Sequence, residues 1–429
     1  DREILFKNMT EWGCEIEPGK FDLIRYSSRY CEIDTLVLKQ GHEMFRSMLL
    51  EDFDIDLYSH CTIASVADRF YLDKGVYNGV VELRGGVRDF IARANIGGRV
   101  MMKDNTKHHF ISDGTSTLDD LDAVSLYPSA QSFLDDLGRD GKPGGILKGV
   151  PKVWTPDIDL NKVDGFFVEI EITKVGKEMT LPCIRLLEDT CANWTNGLEG
   201  HRVVVDRVKY EDLHRFQEIK CNIIKGYYFD QGRNPKIGQV ARYIFTRRAQ
   251  LKKEGNPLQE VFKLIMNSAY GKTSQKPIST DVHYIEASDL DKFTSNNFDR
   301  IVSITPINDD LLRAELFVEL DKSFNRVHVS CEILSMSKRL VNQVSQLFDE
   351  AGYPVHYTDT DSLHVRSEAI EGVAREFEKR YGRKLMGKGL GQFHCDFTKI
   401  DGSDSTPVAI ESVFLAKKTY CDVLRDKYG

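Results

Sequence analysis

The chain has 429 residues, with 58 Lys and Arg against 66 Asp and Glu, a net charge of −8. Its 41% hydrophobic and 29% charged residues are ordinary for globular proteins and exclude wholesale disorder; at about 150 residues per domain the length predicts two to three domains. No run of about 18 apolar residues could cross a membrane, and the acidic balance speaks against a nucleic-acid partner, an objection that the local pattern must answer.

The nine cysteines are scattered and contain no C-x-x-C pair, which excludes a disulfide framework or a zinc ribbon. Free thiols fit a reducing compartment, and the opening has no basic-then-apolar leader. An intracellular location in nucleus, cytoplasm or organelle is therefore expected.

In chain order, the pattern predicts a helix over Ile33 to Leu50 and a short strand at Val80-Val81-Glu82-Leu83. A glycine pair, Gly97-Gly98, follows, and residues 138–151 are a loop rich in Gly, Lys and Pro. Strict alternation from Phe167 to Ile172 predicts a half-buried strand. Residues 176–235 read as irregular, a separate small lobe. Val240, Ile244 and Leu251 recur at helical spacing, Gly255-Asn256-Pro257 stops the helix, and a second helical run covers Leu258 to Ala269, so the two form an αα-hairpin. Residues 276–324 return to strand and loop. An amphipathic helix from Ser335 to Glu350 leads into a strand at Val355 and Tyr357. Strands and helices mix without βαβα regularity, which predicts an α+β fold.

Two acidic strings carry chemistry. In Asp122-Ala123-Val124-Ser125-Leu126-Tyr127-Pro128-Ser129 a strand ends and Pro128 can open a helix. In Tyr357-Thr358-Asp359-Thr360-Asp361-Ser362 a polar centre between apolar flanks reads as a β-hairpin, with Asp359 and Asp361 on one side of it. Clustered carboxylates repel unless a cation lies between them, and Mg²⁺ favours a few carboxylates completed by phosphate oxygens. Two such ions can activate an attacking oxygen and stabilise a leaving one.

The αα-hairpin supplies the opposite charge. Residues 242–253 carry Arg242, Arg247, Arg248, Lys252 and Lys253 and no acid, and Lys263, Asn267 and Tyr270 lie on one stripe of the second helix. If the hairpin folds about Gly255-Asn256, Arg248 and Lys263 fall at one level. Two helices then present a cationic clamp for several phosphates of one ligand.

These residues resemble the family B DNA polymerases, and within them the protein-primed organellar and viral branch. Asp122 to Ser129 is similar to D-x-x-S-L-Y-P-S, Lys263 to Gly271 to K-x-x-x-N-S-x-Y-G, Tyr357 to Ser362 to Y-x-D-T-D-S, and Lys418-Thr419-Tyr420 to K-x-Y, all in the family's order. The resemblance implies a right-hand polymerase with an antiparallel palm sheet and αα-hairpin fingers, preceded by the C-terminal part of an RNase H-like exonuclease domain. It implies that Asp122, Asp361 and the Ala123 carbonyl hold two Mg²⁺ ions (or Mn²⁺), with Asp359 beside them. Ser125, Leu126 and Tyr127 would cradle the incoming dNTP, with Tyr127 excluding a 2′-hydroxyl. Lys263 would bind the triphosphate and protonate pyrophosphate, assisted by Arg248 and Lys252. Asn267 and Tyr270 would line the nascent base pair, and Lys418 and Tyr420 would hold the primer end. Gly97-Gly98 falls where the family has a Y-x-G-G template-binding linker, with Asn95 in the tyrosine position. Tyr30 and Asp34 match the exonuclease Y-x-x-x-D motif.

The implied organisation is an exonuclease remnant over 1–95, linker and palm over 96–151, and an insertion contacting a priming protein or DNA over 152–235. Fingers follow over 236–275, a strand-displacement insertion over 276–324, and palm with the start of a thumb over 325–429. The implied partners are primer-template DNA, dNTPs and a terminal priming protein, and no membrane. Asp1 in place of an initiator Met, 29 residues before Tyr30 and nine after Tyr420 suggest a piece of a longer enzyme in which the exonuclease is inactive. Rival readings explain less. A reverse transcriptase would show Y-x-D-D, an RNA polymerase would not want the bulky Tyr127, and a glycosyltransferase would leave Lys263 to Gly271 without a role. The remaining alternative is a non-catalytic replication scaffold.

Overall fold

The structure, a computed structural model, describes residues 2–188, 191–275, 280–318, 325–399 and 405–426. Helices α1 (Arg2–Glu11) and α2 (Leu23–Phe53) open the chain. The Asp22 carboxylate caps α2 by accepting from the Ile24 and Arg25 N–H groups at 3.0 Å, and Asp54 ends it in the left-handed region. Helices α3 (Ile63–Asp73) and α4 (Gly85–Ala92) lead to β1 (Val100–Met102), β2 (His108–Ile111), β3 (Leu118–Ala123) and α5 (Leu126–Phe133).

The next segment holds β4 (Lys152–Val153), β5 (Gly165–Lys174), a hairpin of β6 (Ile184–Glu188) and β7 (Cys191–Thr195), β8 (Arg202–Asp206), α6 (Arg207–Gln217) and β9 (Lys220–Phe229). After it come α7 (Lys236–Lys253) and α8 (Leu258–Thr273), then β10 (Thr280–Glu286), α9 (Leu290–Asn297), β11 (Ile301–Pro306) and β12 (Leu311–Phe317). The chain closes with α10 (Val327–Glu350), β13 (Tyr357–Asp359), β14 (Ser362–Arg366), α11 (Ile370–Tyr381), β15 (Phe393–Cys395), β16 (Val408–Ala416) and β17 (Thr419–Arg425).

The main sheet is antiparallel, in the order β17-β16-β3-β14-β13-β1, with β15 pairing β3 and β2 pairing β16. One face rests on α10 and α11 through Leu121, Leu363, Val365, Val344, Phe348 and Phe377. The alternation of β3 and β14 therefore leaves Asp120, Asp122, Ser362 and His364 on the other face. The α+β expectation holds, as do the αα-hairpin and the carboxylate β-hairpin.

Several expectations are corrected. Val80 to Leu83 forms no strand; Val80 bridges Gly149 and Leu83 bridges Asn325, each singly. Residues 176–235 are regular, because β5 sits in a sheet ordered β8-β5-β9-β4 with its own core, Phe166, Val168, Ile170, Leu213 and Phe216 among it. β5 is covered on both faces, where alternation predicts one: Glu169 is buried against Arg93 at 2.6 Å and Lys225 at 3.6 Å. α10 begins at Val327, eight residues before its expected start, and is buried around most of its circumference. Its polar residues meet partners inside, including Glu332 with Arg233 at 2.8 Å and Ser335 with Asp206 at 2.6 Å.

Packing also crosses the expected boundary at residue 95. Leu49, Val66, Phe70 and Val76 share one core with Ala130 of α5, Ile244 of α7 and Phe262 of α8. Both ends of the expected 276–324 insertion, residues 276–279 and 319–324, lie outside the described residues. Between them β10, β11 and β12 form a three-stranded antiparallel sheet. Among the described residues no helix is long and apolar enough to cross a membrane.

Candidate active site

The register of β3 against β14 sets the carboxylates. Asp122 lies opposite Ser362, and the Ala123 N–H donates to the Asp361 carbonyl at 2.9 Å, so Asp361, in the β13–β14 turn, comes to the end of β3. The turn is tight. Thr360 has φ 67°, a costly position for a β-branched residue, and its N–H donates to the Arg99 carbonyl at 2.7 Å.

Burial, then the charge of Asp361, with Asp396 and Asp120 adding to it, pushes the Asp122 carboxyl up to about 7. Burial also raises Asp361, where the acids around it add. Among the described residues neither carboxylate has a cationic partner, and no group of three His, Cys, Asp or Glu side chains is arranged to hold a metal. The donor set is thus a carboxylate pair whose repulsion calls for a hard cation, with phosphate oxygens to complete its coordination. The residues fit the implied Mg²⁺ ions in that sense.

Asp359 stands apart from this pair. Its oxygens accept from the Lys418 Nζ at 2.8 and 2.9 Å, and the Lys418 N–H donates to the Tyr357 hydroxyl at 2.7 Å. The K-x-Y lysine is thereby tied to the D-T-D turn. Tyr420 packs its ring on Tyr357 at 4.9 Å and on His364 at 5.0 Å.

Ser125, at φ 48°, turns the chain from β3 into α5. The Leu126 side chain is buried in the core. Tyr127 stacks on Tyr270 with centroids 4.1 Å apart and an interplanar angle of 21°, a contact between α5 and α8. Burial and that neighbour hold the Tyr127 phenol above its usual range. On α8, Lys263 and Asn267 are exposed and Tyr270 is half-buried, one stripe at helical spacing. Glu260 reports how the hairpin closes. Its carboxyl is lowered by a hydrogen bond from Gln259 and then by Lys263 and Arg248, which reach it from two helices. Lys263 Nζ lies 3.7 Å from Glu260. Lys252 is exposed in the last turn of α7. Arg242 belongs elsewhere: it pairs with Asp135 at 2.7 Å and with the Ser132 hydroxyl at 2.8 Å.

Gly97-Gly98 lies beside the carboxylate turn. A Cβ at Gly98 would come within 2.5 Å of the Thr360 side chain. Asn95, in the expected tyrosine position, accepts from the Ser330 hydroxyl at 3.0 Å. Tyr30 and Asp34 are exposed on α2, where Tyr30 stacks on Tyr26 at 6.4 Å. The structure brings together Asp122, Asp361, Tyr127 and Tyr270, and Lys263 and Arg248 both act on Glu260; it does not bring Tyr30 and Asp34 to them.

Sequence reasoning missed three groups. Asp396 follows β15, whose pairing with β3 brings it to Asp122. His364 lies fully buried between Asp120 and Asp422, 3.3 Å from each, and its two-residue offset from Ser362 was a usable signal. Arg99 had no signal, since an isolated arginine reads as a solvated one.

With this geometry in place, comparison with known proteins is decisive at the level of family. Residues 1–342 match the family described as DNA polymerase type B, organellar and viral. The chain belongs to that family. It is 21% identical to a DNA polymerase of Kluyveromyces lactis, over 88% of this chain and 36% of that protein. It is 22% identical to a probable DNA polymerase of Neurospora intermedia, over 98% of this chain and 40% of that protein. The chain thus spans about two-fifths or less of these relatives. The fold is shared with Phi29 DNA polymerase in its complex with primer-template DNA: TM-score 0.58, 16% identity, covering 85% of this chain and 55% of that one. The mixed helix and antiparallel-sheet fold of this chain is thus that of Phi29 DNA polymerase.

Proposed function

We propose that this chain carries the polymerising centre of a template-directed DNA polymerase that adds dNTPs to a primer 3′-end. The observation that supports this most is the meeting of an uncompensated carboxylate pair, Asp122 and Asp361, with a stacked Tyr127–Tyr270 pair, beside an αα-hairpin that carries Arg248, Lys252 and Lys263. Asp122, Asp361 and the Ala123 carbonyl would hold the divalent ions, which when bound neutralise charge on the triphosphate and on the attacking oxygen.

The chain's own residues do the rest. Arg248, Lys252 and Lys263 bind the triphosphate. Tyr127 fills the space beside the sugar C2′ and so selects deoxynucleotides. Asn267 and Tyr270 line the new base pair, Lys418 and Tyr420 hold the primer end, and Gly97-Gly98 passes the template. The primer 3′-hydroxyl gives its proton to solvent as its oxygen bonds to the α-phosphorus, the bond to the bridging oxygen breaks, and Lys263 gives a proton to the departing pyrophosphate and regains one from solvent. Supply of the first hydroxyl by a terminal protein follows from the resemblance, and capture of such a protein on the full-length enzyme tests it.

Primer extension by the full-length protein with Mg²⁺ and dNTPs tests the central reading. Asp361→Asn should lower the rate by about 10³-fold or more, since several kcal/mol of charge stabilisation is lost at about 1.4 kcal/mol per decade. Wild-type-like extension by that variant overturns the assignment. A non-catalytic scaffold would have no use for two half-buried carboxylates, one of which raises the other.

A further inference from the structure

The segment that backs the carboxylate turn is held by two buried basic side chains, Arg99 and Lys338. Arg99 is 2% exposed and Lys338 6%. Lys338 Nζ, from α10, donates to the Ile96 carbonyl at 2.6 Å and the Gly97 carbonyl at 3.4 Å. The Arg99 guanidinium donates to the Leu181 and Pro182 carbonyls at 2.9 and 3.0 Å and lies 5.7 Å from the centre of the Trp194 ring, all in the segment between β5 and β8. Among the described residues neither cation has a carboxylate within ion-pair distance, and the buried Arg99 Nε has no partner.

Burying the Arg99 charge this way is expensive, burial lowering the guanidinium to about 10, and an apolar side chain of similar volume would pack at lower cost. What the arrangement does provide is a fixed backbone. The Arg99 carbonyl accepts from the Thr360 N–H, and the Gly98 Cα is so close to Thr360 that no Cβ fits between them. Thr360 sits in its strained conformation between Asp359 and Asp361. Residues 96–99 therefore form a rigid rail under the D-T-D turn, pinned on one side by α10 and on the other by residues 181–182.

Building on the polymerase reading, we infer that Arg99 is a positioning residue: it couples the segment between β5 and β8 to the carboxylate turn and sets where Asp361 stands relative to Asp122. Groups that orient metal ligands from behind typically contribute about 10–100-fold to metal affinity.

The test uses the full-length protein and Mn²⁺ as the probe, bound ion being read from the loss of the free-ion EPR signal with dNTP and primer-template present. Arg99→Met should weaken Mn²⁺ binding by about tenfold and raise the Mg²⁺ half-saturation of extension in parallel, with the melting temperature little changed. Arg99→Lys, which can still reach a carbonyl, should recover part of the loss. Gly98→Ala should copy the defect by pushing Thr360, and Thr360→Gly in the same chain should relieve it. If Arg99→Met fails to fold, the Gly98→Ala and Gly98→Ala/Thr360→Gly pair decides. Folded variants that bind Mn²⁺ like wild type, or a defect that follows thermal stability and is not rescued, overturn the inference and leave the polymerase reading intact. A wild-type protein that neither binds Mn²⁺ nor extends a primer brings down both.

Discussion

At the scale of single residues, the site is defined by groups whose neighbours are wrong for a resting protein. Asp122 is raised to about 7 by burial and by Asp361, against about 3.9 for an aspartate in an unfolded chain. The folded state holds that proton more tightly, so its contribution favours folding at low pH and is lost as pH rises toward 7. A divalent cation must displace the same proton. Stabilisation by Mg²⁺ should therefore be larger at pH 8 than at pH 6, read as the shift in melting temperature on adding the ion; a larger shift at pH 6 would contradict the carboxylate-pair assignment. Tyr127 is constrained in another way, by its stack on Tyr270. Tyr127→Val removes the ring and should raise ribonucleotide incorporation by about tenfold or more, the scale of discrimination a shape-selective pocket supplies. Unchanged sugar selectivity in competition assays would reject the gate.

At the scale of elements, the αα-hairpin carries both the cations proposed to bind ligand and structural ones that look alike in sequence. Lys263 lies 3.7 Å from Glu260, which Arg248 also lowers, while Arg242, one turn and a half earlier on α7, is paired with Asp135. Lys263→Ala should raise the KM for dNTP by about 10–100-fold, the loss of one charge-assisted hydrogen bond of about 1.5–3 kcal/mol. Arg242→Ala should cost about 0–1 kcal/mol of stability, as exposed ion pairs do, with KM unmoved. Equal KM effects in steady-state extension would place both in the same role. The hairpin was legible because its stop signal and its apolar period agree, and the D-T-D hairpin because apolar strands flank it on both sides. α10 and the sheet around β5 were less legible for one shared reason. Their polar residues, Glu332, Ser335, Lys338 and Glu169, find partners inside the molecule, so a pattern that reads as a solvated face is buried. Residues 176–235 looked irregular because β6, β7 and β8 are five residues each, too short for alternation to register.

At the scale of the molecule, the net charge of −8 is a sum over unlike surfaces: an acidic sheet face around Asp122 and a basic hairpin opposite it. One core runs across residue 95, from α2 and α3 into α5, α7 and α8. Phe70 of α3 meets Phe53 at 5.0 Å, Phe53 meets Phe262 of α8 at 4.8 Å, and the Tyr71 hydroxyl donates to Gln131 of α5 at 2.7 Å. Residues from Leu49 onward thus pack against the αα-hairpin. Arg326 ties the same region to the start of α10, 3.6 Å from Asp68 and 2.9 Å from Glu82. If this core is one cooperative unit, Phe70→Ala should cost about 3–5 kcal/mol, as burial of an aromatic in a packed interior implies, in a single unfolding transition. The cavity would sit behind α8, so amides of α8 should exchange faster and dNTP should bind more weakly, although Phe70 touches no ligand. An independent N-terminal unit would behave otherwise. Urea unfolding would split into two transitions, and α8 would keep its wild-type protection while residues 63–73 lost theirs. Hydrogen exchange followed along the chain, beside the urea titration, distinguishes the two.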